Sequence, residues 1–334
     1  MGYNKENYRR IKSEYSQKYL KAQQAADNRK FALYEKIPGL RELDRMLACA
    51  GPEIMSAVIG DGNDTEAKVQ KIRERNVKML AERKALLEAY GYPEDYTDVH
   101  YECEKCGDTG YVDTKMCDCM KRALILAGYE SSGIAGLMQT QNFKTFSLDY
   151  YSRANGAYDN MKRIYEKMMN FAAGFNVDTY KNYLFMGGTG LGKTHLSTAV
   201  AKDVIDRGFD VLYVCAAGMI GDFEYRRFGN STIDGEAGST SRYYTADLLI
   251  IDDLGTEVIN QFTVSCLYDV INSRIIRRRS TIISTNLNQD EIRQKYWDRI
   301  TSRLFGEYLP MAFFGDDVRK QKVKNGNIRP ASKI

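Results

Sequence analysis

A glycine-rich segment in the middle of the chain has the composition and spacing of a phosphate-binding loop. The run from Gly187 to Thr194 fits G-x-x-x-x-G-K-[ST], follows an apolar stretch and precedes a predicted helix over 195–207. In such a loop, backbone N–H groups surround a phosphate, the lysine neutralises it and the hydroxyl of Thr194 binds Mg²⁺. The predicted ATP-binding residues are Gly187, Gly188, Thr189, Gly190, Leu191, Gly192, Lys193, Thr194 and His195.

Two further apolar runs end in polar residues that would meet this loop. The run 248–251 leads into Asp252 and Asp253, and the run 281–284 leads, through a threonine, into Asn286. Because parallel strands end at one edge of a sheet, these side chains are expected beside the phosphates. Asp252 is predicted to hold Mg²⁺, Asp253 to polarise the attacking water, and Asn286 to orient that water.

Asp253 stands where many related ATPases have glutamate. Its shorter side chain is consistent with slow hydrolysis, or with assistance from Glu257. A structural role for Asp253, as an acid that supports its neighbours, stays open on the sequence alone.

Four cysteines lie within 17 residues. They form C-x₂-C, ten intervening residues and C-x-C: Cys103, Cys106, Cys117 and Cys119. Two close thiolate pairs suit a closed tetrahedral Zn²⁺ site with a structural role. An iron–sulfur cluster and unliganded thiols are the alternatives. The three remaining cysteines are predicted to be small core residues: Cys49, Cys215 and Cys266.

Composition excludes several classes of protein. The chain has 334 residues, a formal net charge of +4 and no apolar run approaching the ~18–20 residues of a membrane span. Its first ten residues contain no signal-peptide core, so a cytoplasmic protein without membrane contact is expected. The mild positive charge does not by itself indicate nucleic-acid binding.

The elements that must position these residues form four predicted segments. They are a helical domain over 1–97, a cysteine module over 98–122, a connector over 123–142 and an α/β domain over 143–334. In the first, helices are predicted over 4–26, 37–47 and 65–90, with a break at 60–63. In the last, short apolar runs alternate with helices, which predicts a parallel sheet buried on both faces. Residues 229–241 are predicted to form a mobile loop.

The motifs together resemble a known family. The runs 249–257, 284–286 and 298–304 resemble the AAA+ ATPases of the bacterial helicase-loader family, DnaC and DnaI, over about 98–320. The cysteine spacing resembles the zinc module of the DnaI type. The resemblance implies a five-stranded AAA+ core with a very reduced lid, and side-by-side self-association through the ATP site. It also implies that the N-terminal domain binds the hexameric replicative helicase, which is loaded onto single-stranded DNA during replication.

The resemblance also assigns roles to single residues. Asn286 matches the family's sensor 1, Arg303 its arginine finger and Arg319 its sensor 2, with Arg299 as a supporting candidate. A finger reaches the γ-phosphate of a neighbouring subunit, for which a planar, permanently charged guanidinium is suited. A solvated surface position stays open for Arg303 and Arg319. The segment 143–146, with two phenylalanines, resembles the part of the family near the adenine, but core packing is an equal alternative.

The helix between the second and third predicted strands carries the candidates for single-stranded DNA. The resemblance implies that this helix faces single-stranded DNA. Its arginines can then contact phosphates, and its aromatic side chains can stack on bases. The candidates are Tyr225, Arg226, Arg227 and Phe228. A solvated face and core packing are the alternatives. A second basic run comprises Arg274, Arg277, Arg278 and Arg279.

The sequence therefore favours an ATP-controlled helicase loader whose ATPase is slow and regulatory, with ATP, Mg²⁺ and structural Zn²⁺ as cofactors. An IstB-like transposition-accessory ATPase is the alternative, against which the cysteine module argues. A third hypothesis is a nucleotide-dependent scaffold without useful hydrolysis.

Overall fold

The computed structural model describes residues 3–59, 65–228 and 240–324. Contacts divide the chain into two units: Lys12–Cys119, and a larger unit made of Met1–Ile11 and Met120–Ile334. Two sequence predictions fall outside the described residues, the break at 60–63 entirely and the loop at 229–241 for all but its last two residues.

The smaller unit is helical, as predicted. Its helices are α1 (Lys5–Lys36, whose first turns belong to the larger unit), α2 (Leu40–Ile59) and α3 (Thr65–Ala89). A small apolar core joins them, built from Leu33, Ile37, Leu40 and Leu87. Arg83 and Asp44 form a largely buried ion pair of 2.7 Å between α3 and α2. A two-stranded hairpin, β1 (Tyr111–Val112) and β2 (Lys115–Met116), precedes α4 (Asp118–Ser131).

The larger unit is built on a parallel five-stranded sheet, which confirms the predicted fold class. Its strands are β3 (Asn182–Met186), β4 (Val211–Cys215), β5 (Leu248–Leu254), β6 (Ser280–Thr285) and β7 (Leu309–Ala312). They are ordered β4-β5-β6-β3-β7, and each neighbouring pair is parallel. The central strands β5, β6 and β3 are almost completely buried because helices cover both faces of the sheet.

Alternate residues of each strand point into separate cores. Phe185 and Ile250 belong to a core with α6 (Ala157–Ala173) and α7 (Lys193–Asp206). Leu184 and Ile251 belong to the opposite one. The other helices of this unit are α5 (Ala135–Met138), α8 (Ala216–Phe228), α9 (Arg242–Thr245), α10 (Gln261–Ile276), α11 (Gln289–Glu307) and α12 (Val318–Lys324).

Helix α11 contains a break in its backbone. Asn288 caps its start and forms a capping box with Glu291. Trp297 then adopts φ 55° and ψ 173°, which is not helical. Arg299 and Arg303 both lie beyond this point, on the second segment of the helix.

The structure corrects two sequence predictions about burial. Cys49 and Cys215 are exposed and Cys266 is half-buried, so the prediction of three core cysteines is wrong. Arg274, which the sequence grouped with a basic surface run, is fully buried. Within the described residues, no helix combines the length and apolar character needed to cross a membrane.

Candidate functional site

The glycine-rich loop connects β3, the strand between β6 and β7, to α7. Three of its glycines have positive φ and leave no room for a side chain: Gly187, Gly190 and Gly192. A Cβ at Gly187 (φ 147°) would lie 2.1 Å from the Phe313 carbonyl oxygen, and one at Gly192 (φ 88°) 2.6 Å from the Tyr151 hydroxyl. Glycine is therefore required at Gly187 and Gly192 for the loop to pack this closely. The N-terminus of α7 at Lys193 carries the positive end of the helix dipole.

Lys193 is buried at the base of the loop. Its ammonium donates hydrogen bonds to the carbonyls of Gly187 (2.6 Å) and Gly188 (2.8 Å), and to Oδ1 of Asn286 (2.7 Å). Burial lowers the pKa of Lys193, while Asp253 and Asp252 oppose that shift. The lysine is thus fixed between the loop and the end of β6, where a cation would meet a phosphate.

Asp252 is held by three hydroxyl groups on neighbouring elements. Thr194 donates to its Oδ2 at 3.0 Å and Tyr213 to the same oxygen at 2.7 Å, while Ser284 donates to Oδ1. Asp252 is 6% exposed, and its carboxylate cannot turn away without losing these bonds. A hydroxyl and a carboxylate oxygen side by side form the kind of oxygen-rich site that Mg²⁺ takes in nucleotide-binding proteins.

Asp253 has an unusual backbone conformation. Its φ of 54° lies in the left-handed region, which aspartate tolerates better than most residues. The pairing of β5 with β6 shifts register between Ile251 and Leu254, as in a β-bulge, and bulges often re-aim side chains beside active sites. Its N–H donates to Ser284 Oγ at 3.0 Å. Burial and the charge of Asp252 raise the pKa of Asp253.

One cleft brings most of the predicted residues together. It is lined by Gln141, Thr189, Gly190, Leu191, Gly192, Lys193, Thr194, His195, Asp253, Asn286, Val318, Arg319 and Lys322. The sequence predicts that four of these features lie together: the phosphate loop, Asp253, Asn286 and Arg319. Lys322 was not assigned to the cleft, although its spacing of three residues from Arg319 on α12 puts both on one helical face. Gln141 carries no motif signal and reaches the cleft only through the tertiary fold.

Other predicted residues lie away from the cleft. Arg303 on α11 donates to Asn272 Oδ1 at 3.0 Å, and neither it nor Arg299 lines the cleft. Glu257 is buried and accepts hydrogen bonds from the Gly255 N–H (2.9 Å) and the Tyr296 hydroxyl, so both of its oxygens are engaged. Phe143 and Phe146 pack in the core.

The residues predicted to contact single-stranded DNA form the C-terminal end of α8. Tyr225 is 60% exposed. Arg226 donates to the Thr240 hydroxyl, and the guanidinium of Arg227 lies 5.1 Å from the centre of the Phe262 ring. Phe228 is the last residue of the helix, and its side chain lies outside the described residues.

The four clustered cysteines converge in the smaller unit. Their sulfurs all lie within 4.8 Å of one another, with Cys103–Cys117 at 3.9 Å and Cys106–Cys119 at 3.6 Å. Sulfurs at the corners of a tetrahedron with bonds of about 2.3 Å would be about 3.8 Å apart. The cluster therefore has the size of a tetrahedral metal site.

Local hydrogen bonds hold the cluster's backbone. The hairpin of β1 and β2 folds the second pair onto the first, and Cys117 N–H donates to the Gly110 carbonyl at 2.8 Å. The Asp108 carboxylate accepts from the N–H groups of Glu102 (2.9 Å) and Cys103 (2.8 Å). The loops are thus ordered by their own contacts and could hold a metal ion.

The sheet order, the loop at the end of an inner strand and the acids on a nearby strand define a class. This is a P-loop nucleotide-binding protein of the AAA+ type. A family described as IstB-like ATP binding protein matches residues 147–305.

Two replicative helicase loaders are similar to this chain in sequence. The replicative helicase loader DnaC of Buchnera aphidicola subsp. Schizaphis graminum is 24% identical over 190 residues, which are 57% of this chain and 73% of that protein. DnaC of Escherichia coli (strain K12) is 24% identical over 196 residues, 58% of this chain and 75% of that protein. A crystal structure of the DnaC helicase loader aligns with 53% of this chain and 98% of its own, at 19% identity and a TM-score of 0.45. The chain is thus similar in sequence to AAA+ proteins named as replicative helicase loaders.

Proposed function

We propose that this protein is an ATP-switched loader of the hexameric replicative helicase onto single-stranded DNA. The observation that carries the proposal is the match to DnaC proteins over about three quarters of their length. The cleft supports it, since it gathers Lys193, Thr194, Asp253, Asn286 and Arg319. Asp252 lies next to it and accepts a hydrogen bond from Thr194.

The chain's own residues divide the work of nucleotide hydrolysis. Lys193 and the loop amides bind the β- and γ-phosphates, and Arg319 binds phosphate from α12. Thr194 and Asp252 hold Mg²⁺, which when bound neutralises phosphate charge. Asp253 accepts a hydrogen bond from the attacking water, and Asn286 orients that water.

Turnover is slow and depends on assembly. The reach of Asp253 is one methylene shorter than that of a glutamate, and Glu257 is engaged elsewhere. Arg303 lies outside the cleft, so it serves the γ-phosphate of a neighbouring copy. Bound ATP then favours side-by-side association, and hydrolysis releases it.

Helicase binding belongs to the helical region over 1–97, and the cysteine module carries structural Zn²⁺. Four sulfurs at tetrahedral spacing fit that ion and leave no coordination position for a substrate.

Single-stranded DNA is contacted by the end of α8, where exposed Tyr225 offers a ring for stacking and Arg226 and Arg227 offer positive charge.

Co-purification with the replicative helicase of the same genome tests the proposal. The tagged full chain should retain the helicase, and a chain lacking residues 1–97 should not. The second candidate function, a transposition-accessory ATPase, is favoured by the IstB-like family match. Retention of a transposase in place of the helicase would establish that alternative.

A further inference from the structure

We propose that Tyr213 is a positioning residue for the magnesium site, which fixes Asp252 so that Thr194 presents its hydroxyl oxygen to the ion. The proposal rests on the nucleotide-binding function proposed above. Tyr213 lies on β4, a strand that carries none of the site's motifs, and it is buried. Its hydroxyl donates to Asp252 Oδ2 at 2.7 Å, a shorter bond than the 3.0 Å bond from Thr194 to the same oxygen.

The direction of each hydrogen bond at Asp252 follows from the chemistry of the acid. A carboxylate accepts hydrogen bonds and cannot donate them, so the neighbouring hydroxyls all point their protons at it. Thr194 therefore commits its one hydroxyl proton to Asp252. Only the lone pairs of its oxygen remain for the cleft, and such an oxygen can bind a cation. A hydroxyl whose proton faced the cleft would instead repel a cation.

Most of the acceptor capacity of Asp252 is already in use. Its two oxygens offer about four lone pairs. Oδ2 accepts from Thr194 and Tyr213, and Oδ1 accepts from Ser284. The position left on Oδ1 suits a water bound to Mg²⁺, because that ion keeps several of its waters. Thr194 is then the direct protein ligand, and Asp252 acts by orienting Thr194 and the water.

Tyr213 can hold Oδ2 in place because the tyrosine is itself fixed on several sides. Its ring belongs to the core shared with α6 and α7, and its N–H donates to the Ser132 carbonyl at 3.0 Å. Ser197 Oγ lies 3.1 Å from the phenol oxygen and 3.1 Å from the Thr194 carbonyl oxygen. Because Ser197 lies one turn after Thr194 on α7, the phenol is tied to the helix that carries the metal-binding hydroxyl.

A purely structural role for Tyr213 would use the same contacts. A buried phenol requires an acceptor for its proton, and Asp252 would then serve only that requirement. The two roles differ in what removal of the hydroxyl changes. A structural role predicts a loss of stability alone, whereas a positioning role predicts a loss that is specific to Mg²⁺, as for other residues that orient a metal ligand.

Calorimetric titration of the full chain with ATP, in excess Mg²⁺ and separately in EDTA, tests the proposal. The measured quantity is the factor by which Mg²⁺ tightens ATP binding. Tyr213→Phe removes only the hydroxyl. We expect it to lower this factor about tenfold, while the ATP dissociation constant in EDTA stays within about twofold of wild type.

Tyr183→Phe is the matched control. Tyr183 is a buried tyrosine of β3 in the same core, and in the part of the chain that the structure describes it forms no hydrogen bond with Asp252. Its replacement should leave both dissociation constants unchanged. If Tyr213→Phe does not fold, Ser197→Ala removes the hydroxyl beside the phenol and should lower the Mg²⁺ factor in the same direction.

The possible results are distinct. A lower Mg²⁺ factor with unchanged binding in EDTA supports the positioning role. An unchanged factor, or equal losses with and without Mg²⁺, would overturn it and leave the proposed nucleotide-binding function intact. A wild-type chain that binds ATP equally in both conditions would remove the magnesium site, and one that binds no ATP would remove the nucleotide site. Either result would remove this proposal as well.

Discussion

At the scale of single residues, Asp252 and Asp253 are adjacent acids in very different surroundings. Asp252 accepts hydrogen bonds from three hydroxyl groups, one of which belongs to Thr194 in the phosphate loop. Asp253 lies beyond a shift in strand register, has a left-handed backbone and faces the cleft with a raised pKa. One acid is therefore suited to holding a cation and the other to contacting water.

Replacing Asp253 tests this division. Asp253→Asn keeps the size and the left-handed backbone but loses the basic carboxylate. We expect ATP turnover to fall by at least ~100-fold, as for removal of a general base, with the ATP dissociation constant within about threefold of wild type. Phosphate release and calorimetry measure the two quantities. Asp178→Asn, on an exposed loop before β3, is the control and should change neither.

Unchanged turnover in Asp253→Asn would assign this acid a supporting role, the alternative that the sequence left open. Absence of measurable turnover in the wild-type chain would favour the scaffold hypothesis.

At the scale of elements, a buried arginine joins helix α10 to the sheet. Arg274 donates to the Thr281 hydroxyl (2.9 Å) and to the carbonyls of Tyr243 (3.1 Å), Ala246 (3.0 Å) and Ser280 (2.6 Å). It thereby satisfies backbone groups of α9 and β6 that would otherwise be buried without donors. Burial lowers the pKa of Arg274 to about 9.

Removing this arginine should loosen the ATPase unit. We expect Arg274→Leu to lower the free energy of unfolding by about 3 kcal/mol, because it leaves buried carbonyls unsatisfied. Urea denaturation measures the change. Arg277→Leu, three residues later and exposed, should stay within about 0.5 kcal/mol of wild type. Equal losses in the two variants would contradict the structural role.

The cysteine cluster allows a second prediction at this scale. Purified protein should contain about one zinc per chain, and chelation should lower its melting temperature, because a structural metal contributes directly to folding. Cys106→Ser should abolish zinc in elemental analysis, whereas Cys49→Ser, an exposed cysteine outside the cluster, should retain it. Iron in place of zinc would establish the iron–sulfur alternative.

These elements also show which features a sequence can reveal. Four of the five strands of the parallel sheet, the phosphate loop and the cysteine pairs are local patterns, so spacing and composition predict them. Strand β7 (Leu309–Ala312), which is short and contains a proline, was not predicted. Arg274 was misjudged because it stands in one run with the exposed Arg277 and Arg278, and only packing distinguishes it from them. Gln141 could not be found at all, since a fold rather than a motif brings it to the cleft.

At the scale of the whole molecule, the site is proposed to be completed by a second copy. Arg303 lies outside the cleft of its own subunit, whereas Lys193 lies within it. Arg303→Ala and Lys193→Ala should each lose turnover for a different reason. The Arg303→Ala variant keeps an intact phosphate loop, and the Lys193→Ala variant keeps an intact arginine finger.

Mixing the two variants tests the shared site. In a mixture, the second variant can supply Arg303 to the first, so ATP turnover should exceed the sum of the separate activities. Removal of an arginine finger costs about 10³–10⁵ in rate, which leaves a wide range for detecting recovery. Strictly additive activities would show that Arg303 does not act across subunits.

Helicase loading on closed circular single-stranded DNA is the most direct test of the central claim. The replicative helicase of the same genome is incubated with the circle, the protein and ATP, and helicase retained on the DNA is measured after gel filtration. We predict retention that requires this protein and ATP, and that is lost with Lys193→Ala. Equal helicase retention with and without the protein would contradict the account.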